Sequence, residues 1–401
     1  MTDSVSEDRS PWSVFLVFLR LGLTSFGGPV AHLGYFRDEF VVRRRWLNER
    51  SYADLVALCQ FLPGPASSQV GMALGLSRAG YAGALAAWVG FTLPSALLLI
   101  VFALGLTEFG DALPAGVLHG LKVVAVAVVA QAVWGMARTL CPDAARVTIM
   151  ALSACLVLLL PSAWMQVGVI VLAGVAGLAL PRSEIPGLRP QDTFAVPIGA
   201  RAGVRWLILF FILLAGLPFW AEASSGQAWR MVDAFYRAGS LVFGGGHVVL
   251  PLLQAEVVPA GWVGNDTFLA GYGAAQAVPG PLFTFAAFLG ASAQGEVTGW
   301  TGGALCLVAI FAPSFLLVAG ALPVWERVRT NLRMRDALSG INAAVVGLLL
   351  AALYHPVSTS ALLDAKDFAL ALLALVALVF WRLPSWLVVV GCGLGGWVLQ
   401  A

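Results

Sequence analysis

Two Pro-Gly-Pro tripeptides, Pro63-Gly64-Pro65 and Pro279-Gly280-Pro281, sit inside apolar stretches of this 401-residue chain. Proline lacks an amide donor and its ring collides with the preceding turn, so a helix does not run through either one. Each stretch is expected to split into two half-helices, with Pro65 or Pro281 at the first position of the second and Gly64 or Gly280 as its cap. The first-turn amides of such a helix have no intrahelical partner. They carry the positive end of the helix dipole toward the break, a geometry that attracts anions. Ser67 and Ser68 add hydroxyl donors at the first break, and Thr284 does so at the second. Gln60 and Gln276 precede the tripeptides by the same spacing, and either hydrogen-bond an oxyanion or cap the broken backbone. One tripeptide alone would read as a structural proline kink; the matched pair favours a site.

Other chemistry-bearing residues are charged groups in apolar surroundings. Arg20 and Arg237 lie within apolar runs, where a charge costs about 2.5–3.5 kcal/mol at mid-bilayer. Such side chains face a cavity or partner, or snorkel to the interface. The flat guanidinium fork suits an oxyanion, so both are candidate substrate ligands. Gly27-Gly28 and Gly244-Gly245 either open backbone to substrate or let helices pack closely. Arg37, Glu39, Asp54, Lys122, Asp233 and His247 are candidate coupling or gating groups. The four His and five Cys form no HExxH or CxxC spacing, so no metal, cofactor or enzymatic centre is expected.

The elements that position these residues follow from composition. Hydrophobic residues make up 60% and charged residues 11%, against about 25% charged in soluble domains. Mean hydropathy is +0.88. A net charge of +2 offers no field to hold phosphate backbones, which excludes a nucleic-acid binder. The reading is an all-α polytopic protein in a lipid bilayer. Apolar runs cover about 12–30, 52–77, 80–106, 113–138, 144–160 and 163–180, then 206–220, then 231–251, 267–292, 297–322, 337–354, 367–381 and 384–400. That gives about 13 membrane segments. With a cytoplasmic N-terminus, Arg78, Arg138, Arg146, the linker arginines Arg182, Arg189, Arg201 and Arg205, the loop Arg327–Arg335 and Arg382 fall inside. The acidic turn Glu108–Asp111 falls outside. The Arg-rich loop 31–51 disobeys and faces outward; a re-entrant 52–77 would bring it inside, and the same treatment of the second half would then send Arg327–Arg335 out.

The chain repeats itself. Arg20, Gly22 and Phe26-Gly27-Gly28 recur as Arg237, Gly239 and Phe243-Gly244-Gly245, at an offset of 237 − 20 = 217. Glu39 and Asn48 keep it in Glu256 and Asn265; the two Gln-x-x-Pro-Gly-Pro motifs match at 216, Pro94-Ser95 and Pro313-Ser314 at 219, and Gly120 and Gly340 at 220. Six runs plus the linker run separate the copies, an odd number, so the second copy begins on the opposite face. Inverted-topology repeats place a transport site near mid-membrane. The organisation is a repeat at 12–180, a linker with one extra span at 181–230 and a repeat at 231–401.

On Phe26-Gly27-Gly28-Pro29, Gln60-Phe61-Leu62-Pro63-Gly64-Pro65, Phe243-Gly244-Gly245-Gly246-His247 and Gln276-Ala277-Val278-Pro279-Gly280-Pro281, the chain resembles the chromate ion transporters of the CHR superfamily, in their long two-domain form. The resemblance implies a multi-pass protein of the bacterial inner membrane that exports chromate and confers chromate resistance, with sulfate as a competing tetrahedral analogue. Arg37, Arg43–Arg45 and Glu39 resemble the charged loop that the family is thought to need. A dianion leaving a negative interior gains roughly 4.6 kcal/mol per 100 mV, which favours efflux; the expected mode is alternating access. Uptake of sulfate or another oxyanion, and an anion channel, stay open, as does a homodimer.

Overall fold

The computed structural model describes residues 10–109, 114–180, 198–224, 226–325 and 331–400, and all regular structure among them is helical. Asp111, Arg182, Arg189, Arg327 and Arg329 lie outside the described residues. In chain order the helices are α1 (Pro11–Thr24), α2 (Gly28–Arg37, continued by a π turn, Asp38–Arg43), α3 (Glu49–Phe61), α4 (Ala66–Phe109), α5 (Ala115–Leu140), α6 (Ala144–Leu159) and α7 (Ala163–Gly177). They continue as α8 (Ala200–Ala223), α9 (Gln227–Leu241), α10 (Val249–Val257), α11 (Asn265–Ala275), α12 (Phe285–Ala291), α13 (Gly299–Ala321), α14 (Leu332–Ala352), α15 (Ala365–Val379) and α16 (Ser385–Gln400). Side chains of Ser10, Asn48, Asp143, Ser162 and Asp364 accept first-turn amides and fix where α1, α3, α6, α7 and α15 begin.

Five helices, α4, α5, α8, α13 and α14, are long and apolar enough to cross a membrane. Four of the apolar runs, 12–30, 52–77, 231–251 and 267–292, are interrupted and do not form single helices. α4 is itself broken at Ala79 and Gly80. Its first part, before that break, extends only about 20 Å at 1.5 Å per residue, short of the roughly 30 Å hydrocarbon core.

Ring contacts show which way the short pieces turn. Phe18 of α1 stacks on Phe40 at 5.1 Å and meets Phe36 edge-on at 5.6 Å, so α1 and α2 fold back as a hairpin. Arg78 lies over the ring of Trp46, 4.9 Å from its centroid. The chain from Trp46 through α3 and the first part of α4 therefore returns to where it started. Loop 31–51 and Arg78 thus lie together, not at opposite ends of run 52–77. The cause is local: the Pro-Gly-Pro break ends α3, and Gly75 lies so close to Gly83 that an added Cβ would come 2.2 Å from the Gly83 carbonyl oxygen.

The halves interlock. Gly120 of α5 lies against the Cys392 carbonyl of α16, and Gly340 of α14 against the Ala173 carbonyl of α7. Each half thus supplies a long helix to the other, packed through a repeat-equivalent glycine. α8 stands at the periphery, with Phe211, Ile212, Phe219 and Trp220 exposed on its outer face, as lipid-facing residues are.

Candidate functional site

The two Pro-Gly-Pro segments are non-helical links. α3 ends at Phe61 and α4 starts at Ala66; α11 ends at Ala275, and a 3₁₀ turn, Leu282–Thr284, leads into α12. Gly64 and Gly280 take φ of +120° and +103°, a region that other L-residues avoid. The Gly64 amide donates to the Val242 carbonyl at 2.7 Å, and the Gly280 amide to the Ser25 carbonyl at 2.9 Å. Val242 and Ser25 are repeat equivalents, 242 − 25 = 217. A Cβ at Gly64 would lie 2.5 Å from Ser314 Oγ, and one at Gly280 would lie 2.8 Å from Ser95 Oγ. Those serines are equivalents too, 314 − 95 = 219. Each break is therefore held by the other half of the chain. The first motifs also meet: Gly246 would place a Cβ 3.5 Å from the ring of its equivalent, Pro29.

Gln69 and Ser314 lie against Gly64, and Ser25, His32, Ser67, Ser68 and Thr92, on segments flanking the two breaks, are likewise buried. Gln69 Nε2 donates to the Pro63 carbonyl at 2.6 Å. His32 Nδ1 is 3.5 Å from Ser67 Oγ, and its ring stands edge-on to Phe91. Ser25 Oγ, His32 Nε2, Ser68 Oγ, Gln69 Oε1, Thr92 Oγ1 and Ser314 Oγ have no hydrogen-bond partner in the protein. Buried polar atoms are almost always paired, so these are the positions where water or a guest would find partners. His32 and Gln69 escaped the sequence reading because neither recurs in the second half, where Val249 and Phe285 stand. Their signal was position, one helical turn beyond Gly28 and beyond Pro65.

The second break differs. Thr284 spends both donors on the Pro281 carbonyl, its hydroxyl at 2.7 Å and its amide at 3.1 Å. A 3₁₀ turn closes i→i+3 bonds at once, so this amide is not free as expected.

Gln276, with Nε2 unpartnered, lines a cavity of about 350 Å³ together with Gly27, Gly28, Gln131, His247, Gly280 and Arg382. His247 Nδ1 is 2.8 Å from the Tyr272 hydroxyl. Gln60 lines a separate cavity of about 680 Å³, beside Arg146, Arg335 and Asn342. Gly244 and Gly245 lie against Met136.

The charged candidates lie among counter-ions. Arg237 is buried, donates to Asp233 at 2.5 Å and Glu256 at 2.6 Å, and lies over Trp164. Its equivalent Arg20 is exposed on α1. Buried Glu39 accepts from Arg43 at 2.7 Å and Arg44 at 2.6 Å. Arg37 pairs with Glu49, and Lys122 with Asp266 at 3.1 Å; Asp54 is half-buried on α3. A buried pair absent from the sequence reading joins His119 to Asp367 at 2.7 Å. Ser339, the repeat equivalent of His119 at 339 − 119 = 220, accepts from Arg146 at 2.6 Å.

A multi-pass helical membrane protein whose broken segments are clasped across two like halves, beside polar cavities, has the build of a secondary transporter. The chain belongs to the chromate transporter family, which matches residues 12–178 and 229–397. Its members are transporters and not enzymes. The chain is 28% identical to a chromate transport protein of Pseudomonas aeruginosa, over 99% of this chain and 94% of the other. It is 26% identical to a probable chromate transport protein of Synechococcus elongatus, over 94% and 93%. It is also 26% identical to a chromate transport protein of Cupriavidus metallidurans, over 96% and 92%. No solved structure matches.

Proposed function

We propose that this chain carries chromate out of the cytoplasm across the inner membrane by alternating access, and so confers chromate resistance. The observation that carries the reading is the reciprocal clasp, Gly64 to Val242 and Gly280 to Ser25. It brings both breaks to one interface between the repeats. The oxyanion is held by the first-turn amides of α4 with Ser67 and Ser68, by the first turn of α2 at Gly27 and Gly28, and by the Gln276 amide. Partial charges of this kind bind a dianion without the desolvation cost of full charges.

The repeats run in opposite senses. Gly244 touches both Leu140, at the end of α5, and Asn342, in the first half of α14. Lys122, near the start of α5, pairs with Asp266, whose neighbour Asn265 bonds Ser360 beyond the end of α14. The equivalent helices α5 and α14 are thus antiparallel. The turns bearing Arg37–Arg50, Arg78, Arg146 and Arg335 share one face, which the positive-inside rule makes cytoplasmic.

Cavities related by the repeat support alternation. The one at Gln276 is lined by Val128, Gln131, Leu378 and Ser385. Another, of about 540 Å³, is lined by Leu348, Ala351, Leu158 and Gln166. These four are equivalents at offsets of 220, 220, 220 and 219. The first reaches Gly280; the second is bounded by Gln254, Asn265 and Ser360. Exchanging the two arrangements moves the anion.

The test is chromate uptake into everted vesicles containing the purified protein. Saturable uptake, competed by sulfate, is expected. No uptake would refute the reading, and ohmic current far above carrier rates would replace it with a channel.

A further inference from the structure

We propose that His32 binds a proton together with the oxyanion, making it the residue that couples transport to protons; the proposal rests on the transport reading above. His32 is fully buried, one turn into α2. Its Nδ1 faces Ser67 in the first turn of α4, and its Nε2 has no hydrogen-bond partner. Ser68 Oγ, on the next residue of α4, is likewise buried and unpartnered. The backbone of Ser25, the residue that receives the Gly280 amide of the other break, also approaches this imidazole. His32 thus lies between the first turn of α4 and the residue that clasps Gly280.

Among the described residues, the charged groups of the neighbouring elements pair elsewhere. Arg37, at the far end of α2, pairs with Glu49. Glu39 takes Arg43 and Arg44. Tyr52 of α3 donates its hydroxyl to the Leu33 carbonyl at 2.6 Å. α4 presents Ser67 and the ring of Phe91. From the second half, His247 bonds Tyr272. A buried imidazolium needs a counter-charge, and an oxyanion at the first turn of α4 supplies it. By linkage, each ligand then raises the affinity for the other: the anion draws a proton onto His32, and the proton tightens the anion. When the anion leaves, the proton leaves with it.

The probe is sulfate, which stays a dianion through the imidazole range, bound to the purified full-length protein. Between roughly pH 6 and 8, wild-type affinity should fall as pH rises, by up to about tenfold per pH unit. Binding in weak buffer should take up about one proton per sulfate at the low-affinity end of that range. His32→Gln should bind more weakly, with no pH slope and no proton uptake, while His247→Gln keeps the slope. pH-flat sulfate binding by wild type, a wild-type slope in His32→Gln, or loss of the slope in His247→Gln instead would each overturn the proposal alone. Absence of sulfate and chromate binding at every pH would overturn the transport reading with it. If His32→Gln does not insert, His32→Asn carries the same test, and wild-type proton uptake decides without any variant.

Discussion

At the scale of single residues, the two breaks make unequal demands. Gly64 and Gly280 are required twice over, by positive φ and by the serine hydroxyl against each. Gly64→Ala adds about 1–3 kcal/mol of backbone strain and pushes on Ser314. We expect chromate uptake to fall at least about tenfold, since one such factor is only about 1.4 kcal/mol, with partial return when Ser314→Gly is added. Ser68 has a free hydroxyl, whereas that of Thr284 is taken by Pro281. Ser68→Ala should therefore weaken anion binding by about 0.5–3 kcal/mol, measured by chromate competition. Thr284→Ala should lower thermal stability and leave affinity nearly unchanged. Equal effects on affinity would show that both hydroxyls face the anion. The sequence already held the matched tripeptides, glutamines and hydroxyls. It did not hold the direction of the Thr284 hydroxyl, because an i→i+3 turn and an α-helical first turn look alike in a run of apolar residues.

At the scale of elements, equivalent positions acquired different surroundings. Arg20 and Arg237 align, but 233 − 217 = 16 puts Leu16 where Asp233 stands. Without that carboxylate one turn away, Arg20 on α1 turns outward, while Arg237 on α9 is buried in an ion cluster. Glu39 and Glu256 align as well, yet each finds arginine from a different element: the π turn after α2 in one case, α9 in the other. A buried carboxylate must be paired, and the chain satisfies that need locally. Removing one partner of such a buried cluster costs about 3–5 kcal/mol. Arg237→Ala should thus unfold detergent-solubilised protein at markedly lower temperature, whereas Arg20→Ala should leave the melting temperature unchanged. Run 52–77 reads equally as one crossing or as a re-entrant pair for a related reason. Apolar length cannot distinguish a span from two half-helices that turn back at Pro-Gly-Pro, and only the Arg78–Trp46 contact reveals the return.

At the scale of the whole molecule, five long helices, interrupted short ones and two interlocked halves form one body. The repeat and its offsets were visible in the sequence. The swapped packing of α5 on α16 and α14 on α7 was not, because it depends on glycine contacts between distant segments. The central claim is that two like halves lie in the membrane in opposite senses and share one site. It is tested most directly by labelling single cysteines from each face, on a background lacking the native ones. Asp38 and Ala260 are exposed in the two corresponding loops, 31–51 and 252–266. In oriented vesicles, a membrane-impermeant thiol reagent should reach Asp38→Cys from the cytoplasmic face only and Ala260→Cys from the opposite face only. Labelling of both from the same face would contradict the account.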